Sequence, residues 1–224
     1  MVVVAVAPAA GRVALVAGAT GLVGRAVLAA LLTDRRYAAV HVLGRRPPAE
    51  QHPKLNSHQV DFARLPALPP VDDVFIALGT TIKVAGSEQA FRAVDLDAVL
   101  AVANAARKAG ATRLGVVSAM GADTNAKIFY NRVKGEVEQA LQGLGFRTLV
   151  IARPSMLAGD RAALAQPART GERIGLALMG AFKRFIPANY QAIRARDVAT
   201  ALVGAVQEDR PGSRILLSGQ MQPG

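Results

Sequence analysis

Cysteine is absent from the 224 residues of this chain, so neither a disulfide nor thiolate chemistry enters its function, and the count leaves the compartment open. Acidic residues are scarce: 16 Asp and Glu stand against 27 Lys and Arg, a formal charge of +11. An excess of that size raises the question of a nucleic-acid partner. Aromatics make up only 4%, however, and the basic residues are spread along the chain without a basic tail or an aromatic-rich basic motif, so no nucleic-acid partner is expected. A solvated surface that also attracts an anionic cofactor accounts for the charge. Long apolar runs are missing too. Residues 1–10 are apolar but carry no basic leader and are broken by Pro8 and then Arg12, which speaks against a signal peptide or a membrane span and makes a cytoplasmic protein the expectation. With 51% hydrophobic and 19% charged residues, the composition is that of a folded chain, long enough for one domain with a small appended lobe.

What is present is organised around VALVAGATGLVG at 13–24. Val13 to Ala17 is a continuous apolar run, as suits a strand buried on both faces of a parallel sheet. It empties into Gly18, Thr20, Gly21, Leu22, Val23 and Gly24, after which Val23, Ala26, Val27, Ala30 and Leu31 recur at helical spacing. A tight strand-to-helix turn aims backbone N–H groups and a helix dipole at one point, and that point suits a pyrophosphate. Glycine at 18 and 21 lets the backbone turn sharply and approach the ligand, while Gly24 allows close packing of helix on strand.

Further strands are predicted at 39–43, 57–60, 73–78, 113–118, 146–152 and 214–218. Helices are predicted from a Ser87 cap to Lys108, over 126–144, and from an Asp197 cap through 198–208. Strands alternating with helices at this spacing make an α/β, doubly wound Rossmann fold with a mostly parallel sheet. The core is expected over 11–153, with a small substrate-side lobe over 154–224 where the alternation is lost. The apolar stretch 174–185 is too short to span a membrane and suits a helix over a cleft or a homodimer contact.

Two strand ends carry chemistry. After the second strand, where an NAD-specific fold would place an acidic ribose ligand, stand Arg45 and Arg46, whose planar forks match a 2′-phosphate. The alternative is a solvated pair before a Pro-Pro turn. Ser118 ends the fifth strand, and Tyr130 and Lys134 sit four apart on one face of the following helix. An ammonium beside the phenol would favour phenolate, bringing its pKa down from about 10. Ser118 would hold the same substrate oxygen for a hydride from a nicotinamide. No cluster suggests a bound metal.

These pieces resemble the short-chain dehydrogenases/reductases, in their extended and atypical branches, and within these most closely the Tat-interacting-protein oxidoreductase group. The resemblance runs through GATGLVG, VLGRRP at 42–47, VDF at 60–62, ALGTT at 77–81, VDLDAVL at 94–100, VSAMGADTNAKIFYNRVKGEVE at 117–138 and ARPSMLAGDR at 152–161, nearly the whole chain. It implies NADP(H) held by the glycine turn, the 2′-phosphate at Arg45 and Arg46, the adenine near Asp61 and Phe62, and further dinucleotide contacts from Leu78, Gly79 and Thr80. It also implies Lys134 on the nicotinamide ribose and Tyr130 as acid/base. The helix asparagine that completes the family's proton relay has no clear counterpart; Asn104 is the nearest candidate. An oxidoreductase acting on a carbonyl or alcohol is therefore expected, with a cofactor-binding regulatory protein and a sugar-nucleotide epimerase or dehydratase as the alternatives.

Overall fold

The computed structural model describes residues 11–158 and 187–222, so the expectations for 1–10 and 174–185 lie outside the described residues. Strands run over β1 (Arg12–Ala17), β2 (Tyr37–Gly44), β3 (Leu55–Gln59), β4 (Asp73–Ile76), β5 (Arg113–Val117), β6 (Thr148–Arg153), β7 (Leu157–Ala158), β8 (Ile193–Arg194) and β9 (Gly212–Leu217). Helices are α1 (Leu22–Thr33), α2 (Ile82–Ala85), α3 (Glu88–Arg92), α4 (Ala98–Lys108), α5 (Phe129–Gln142) and α6 (Ala195–Gln207).

Seven strands form one sheet in the order β3-β2-β1-β4-β5-β6-β9, every neighbouring pair parallel. This is the expected doubly wound Rossmann architecture. Alternation along each strand sends side chains to opposite faces, so Val16 and Leu15 enter two different cores. Val16, with Val40 and Val150, packs under Val27 and Leu31 of α1 and Leu202 and Val206 of α6. Leu15, with Val74, Leu114 and Ile151, packs under Val102 and Ala103 of α4 and Val137 and Leu141 of α5. The order of strands reverses between β1 and β4, which makes a crevice at their carboxyl ends, the place where ligands bind in open α/β sheets.

Three details depart from the expected elements. The helical run over 88–108 is interrupted by a π-helical turn at Ala93–Asp97, which carries Asp95 to full burial. A short helix, α2, follows β4, with Thr81 as a cap accepting from the Val84 amide. α6 begins at Ala195, so Asp197 lies in its first turn instead of capping it. The described residues after 153 divide in two. β7 and β8 pair as a separate ladder, whereas α6 and β9 join the main sheet and its helical layer.

Candidate dinucleotide and substrate site

The glycine turn leaves β1 at the crevice. Gly18 has φ +92, a left-handed conformation, and a Cβ there would stand 2.4 Å from the Ala77 carbonyl oxygen. A Cβ on Gly24 would fall 2.0 Å from the Gly18 oxygen, so the helix closes on the turn only with glycine at 24. At Gly21, by contrast, the nearest atom to such a Cβ is at 3.4 Å, which leaves that side of the turn open for a ligand. Gly21 is also the N-cap of α1 and offers no side-chain hydrogen bond, and the first turn holds no acidic residue. The leading N–H groups, at Leu22, Val23 and Gly24, are thus a cradle for an anion, and the residues present fit a pyrophosphate. Thr20 is exposed beside them.

Across the crevice the π-helical turn delivers Asp95 to the end of β4. Its Oδ2 accepts from the Thr80 amide at 2.8 Å, and its Oδ1 lies 2.7 Å from Lys134 Nζ. Both residues are buried, at 0% and 5% exposure. Oδ1 makes no hydrogen bond of good angle among the described residues, so the ion pair with Lys134 is what compensates its burial. The same ammonium lies 5.9 Å from the Tyr130 ring centroid, and the Phe91 ring packs against Tyr130 with centroids 5.6 Å apart. Gly79 is open above this pair: a Cβ there would meet Asp95 Oδ1 at 3.5 Å and Lys134 Nζ at 3.9 Å. Sequence reading passes over Asp95. Its signal is an acidic side chain inside the apolar run VDLDAVL. Asn104, the candidate relay residue, is exposed on α4 and donates its amide to Leu100 of its own helix.

Tyr130 opens onto a cleft of about 590 Å³. Thr80, Thr81 and Ile82 line it after β4, and Ala119 and Met120 after β5. Pro154, Ser155 and Met156 after β6, with Tyr190, complete the described wall. Ser118 is not in that wall. Its hydroxyl donates to Glu138 on α5, whose carboxylate is also gripped by Arg153 through Nε at 3.0 Å and Nη2 at 2.6 Å. Tyr130 and Lys134 therefore stand near each other on α5, the ammonium 5.9 Å from the phenol ring, while Ser118 joins a Ser-Glu-Arg cluster of buried Glu138 and half-buried Arg153. A serine ending a strand gives the same sequence signal in either direction; only the facing carboxylate decides which way its hydroxyl turns.

The remaining candidates ring the crevice. Arg45 and Arg46 are both exposed at the end of β2. Asp61 is exposed and its Oδ1 accepts from the Ala63 amide, and Phe62 and Leu78 are half-buried against the α4–α5 core. No group of side chains among the described residues is arranged to hold a metal ion, and no described helix is long and apolar enough to cross a membrane.

A family model described as NAD(P)H-binding matches residues 18–209. The chain is 31% identical to Protein HTATIP2 of Rattus norvegicus over 91% of its own length and 84% of that protein. It is 36% identical to the mitochondrial protein fmp52 of Emericella nidulans, over 64% of this chain, and spans 66% of that relative's length. Among solved structures, MoeE5 in complex with UDP-glucuronic acid and NAD superposes with a TM-score of 0.71 at 18% identity, covering 93% of this chain and 76% of that one, a likeness of fold. Together these support a nicotinamide cofactor. They also overturn the expectation of a cytoplasmic protein, since the fmp52 relatives are named mitochondrial.

Proposed function

Because this chain belongs to the NAD(P)H-binding family, as an atypical short-chain dehydrogenase/reductase similar to HTATIP2, we propose that it is an NADP(H)-dependent oxidoreductase interconverting a carbonyl and an alcohol on a small substrate. The observation that carries this reading is Tyr130 facing the cleft one helical turn from a Lys134 held in place by Asp95. The dinucleotide, when bound, supplies or accepts the hydride. Tyr130 gives its phenolic proton to the carbonyl oxygen in reduction and takes it back in oxidation. Lys134, anchored on Asp95, keeps its charge beside the phenol and turns its remaining N–H groups to the ribose. The glycine turn holds the pyrophosphate, Arg45 and Arg46 the 2′-phosphate, and Asp61 with Phe62 the adenine. Leu78, Gly79 and Thr80 border the dinucleotide. Ser118 acts as a positioning residue, tying the end of β5 to Glu138 on the helix that carries Tyr130. The names of the fungal relatives support a mitochondrial setting for this activity.

Tyr130→Phe keeps the ring on Phe91 but removes the proton, so turnover should fall by roughly 10²–10⁴ with the NADPH affinity unchanged. Calorimetry checks the cofactor choice: NADPH should bind more tightly than NADH. Replacing both Arg45 and Arg46 by alanine should cost NADPH about 1.5–3 kcal/mol, tenfold or more, and spare NADH. A Tyr130→Phe protein that reduces its substrate at the wild-type rate ends the catalytic reading. A second reading, a cofactor-binding sensor without turnover, is favoured by one observation, the commitment of the Ser118 hydroxyl to Glu138 away from the cleft.

A further inference from the structure

The chain carries a formal charge of +11, yet no charged side chain lines its cleft among the described residues. Two cations beside it are already matched, Lys134 by Asp95 and Arg153 by the Glu138 carboxylate, and Lys83, next to Ile82 on α2, is exposed and is not part of the wall. Polar groups in the wall are mostly engaged as well. Thr81 Oγ1 accepts from the Val84 amide, and the Ser155 hydroxyl donates to the Gln191 carbonyl and meets Ser218 Oγ at 2.9 Å. Among the described residues, the Tyr130 and Thr80 hydroxyls stand inside this wall to receive a polar atom, with the Tyr190 hydroxyl at its exposed edge. The mouth is apolar in turn. Ile82, Met156 and Tyr190 are 39%, 38% and 63% exposed there, and Val84, beside Ile82 on α2, is 64% exposed. An apolar surface gathered around a concave site marks what the site binds, because scattered exposed hydrophobics would not converge on one opening.

We propose that the substrate of this cleft is an uncharged, largely apolar carbonyl compound or alcohol, anchored by its one oxygen at Tyr130 and Thr80 while its hydrocarbon lies against Ile82, Met156 and Tyr190. The inference rests on the oxidoreductase reading for the role of Tyr130 but not for the character of the cleft. A substrate bearing a carboxylate or phosphate would have to leave water for a wall that holds no charged side chain among the described residues, and that penalty discriminates against it.

The test uses the full chain loaded with NADP and two ligands of equal length, octan-1-ol and 8-hydroxyoctanoate, measured by calorimetry. Octan-1-ol should bind at least tenfold more tightly. Met156→Lys places an ammonium in the exposed wall without opening the core, and should narrow or reverse that preference while NADP still binds. Equal or tighter binding of the acid, no binding of octan-1-ol, or an unaltered ratio in Met156→Lys would each overturn the inference. Parallel assays of NADPH consumption with octanal and 8-oxooctanoate keep the two readings apart. Selective binding of octan-1-ol without any hydride transfer leaves the apolar cleft standing and removes the oxidoreductase, whereas turnover without selectivity does the opposite.

Discussion

Asp73 and Asp95 are both fully buried, and they stand at opposite ends of β4, the one opening the strand and the other meeting the turn that follows it. Around Asp73 the polar groups gather on one carboxylate, although Arg12 Nη1 reaches it only as an ion pair and makes no hydrogen bond. Tyr37 donates its hydroxyl at 2.6 Å, Arg113 donates from Nε, and Arg12 approaches at 3.7 Å. Burial, then the neighbouring carboxylate, pushes the Tyr37 phenol above its ordinary range, so it remains a neutral donor. Around Asp95 the polar groups stay open: one backbone amide and one ammonium, with the Tyr130 phenol and the cleft beyond. A buried carboxylate surrounded by donors on every side stiffens a fold, whereas one whose cation still faces a cleft can hold that cation for a ligand.

The contrast is broken most forcefully at Asp73. Asp73→Ala would remove the hydrogen-bonded partner of buried Arg113 and leave it only Asp209 at 3.5 Å, which should cost up to about 3–5 kcal/mol in urea denaturation. NADPH affinity of the folded fraction should stay within about twofold, because no part of the crevice is touched. A loss below about 1 kcal/mol would mean that the amino end of the sheet is not held by this cluster. Asp95→Asn keeps the shape and the Thr80 contact but removes the charge facing Lys134. The expected result is about tenfold weaker NADPH binding, near 1.4 kcal/mol, with a smaller change in stability than at Asp73. Should Asp95→Asn prove as destabilising as Asp73→Ala with cofactor binding intact, the two ends would be alike and the distinction between them would fall.

The smallest effect belongs to neither end. On the adjacent strands β2 and β3, His41 Nδ1 and His58 Nε2 are 2.8 Å apart, and burial, then the facing imidazole, lowers the His41 pKa below its ordinary 6.5. The unfolded chain therefore takes up this proton first as pH falls. Stability should drop as pH falls below about 6.5 and level off once the folded His41 itself is protonated, at a slope no steeper than about 1.4 kcal/mol per pH unit. Thermal melts of the wild type and of His41→Gln between neutral and mildly acidic pH measure it; an identical slope in both would remove His41 as its source.

Much of the crevice was legible from local patterns. The Ser87 cap, which does accept from the Ala90 amide, depends only on its own next residues. So do the apolar strands, and so does the turn after β1. The helical spacing of Tyr130 and Lys134 likewise sets them on one face before anything else is known. What the chain could not disclose locally is how distant residues meet. The interruption at Ala93–Asp97 breaks a helix that propensity would continue, because burying Asp95 against Lys134 and the Thr80 amide offsets the irregular turn.

Residue order by itself determined the parallel sheet, the glycine cradle and the pairing of Tyr130 with Lys134, since each follows from side-chain periodicity or from the stereochemistry of glycine. Tertiary structure alone decided the partners of Lys134 and Ser118, the split of the described residues after 153 between a small ladder and the main sheet, and the absence of charged side chains from the described wall of the cleft. Those depend on carboxylates at 95 and 138 reaching positions 39 and 20 residues away in sequence, and such long-range pairing is set by how the layers pack.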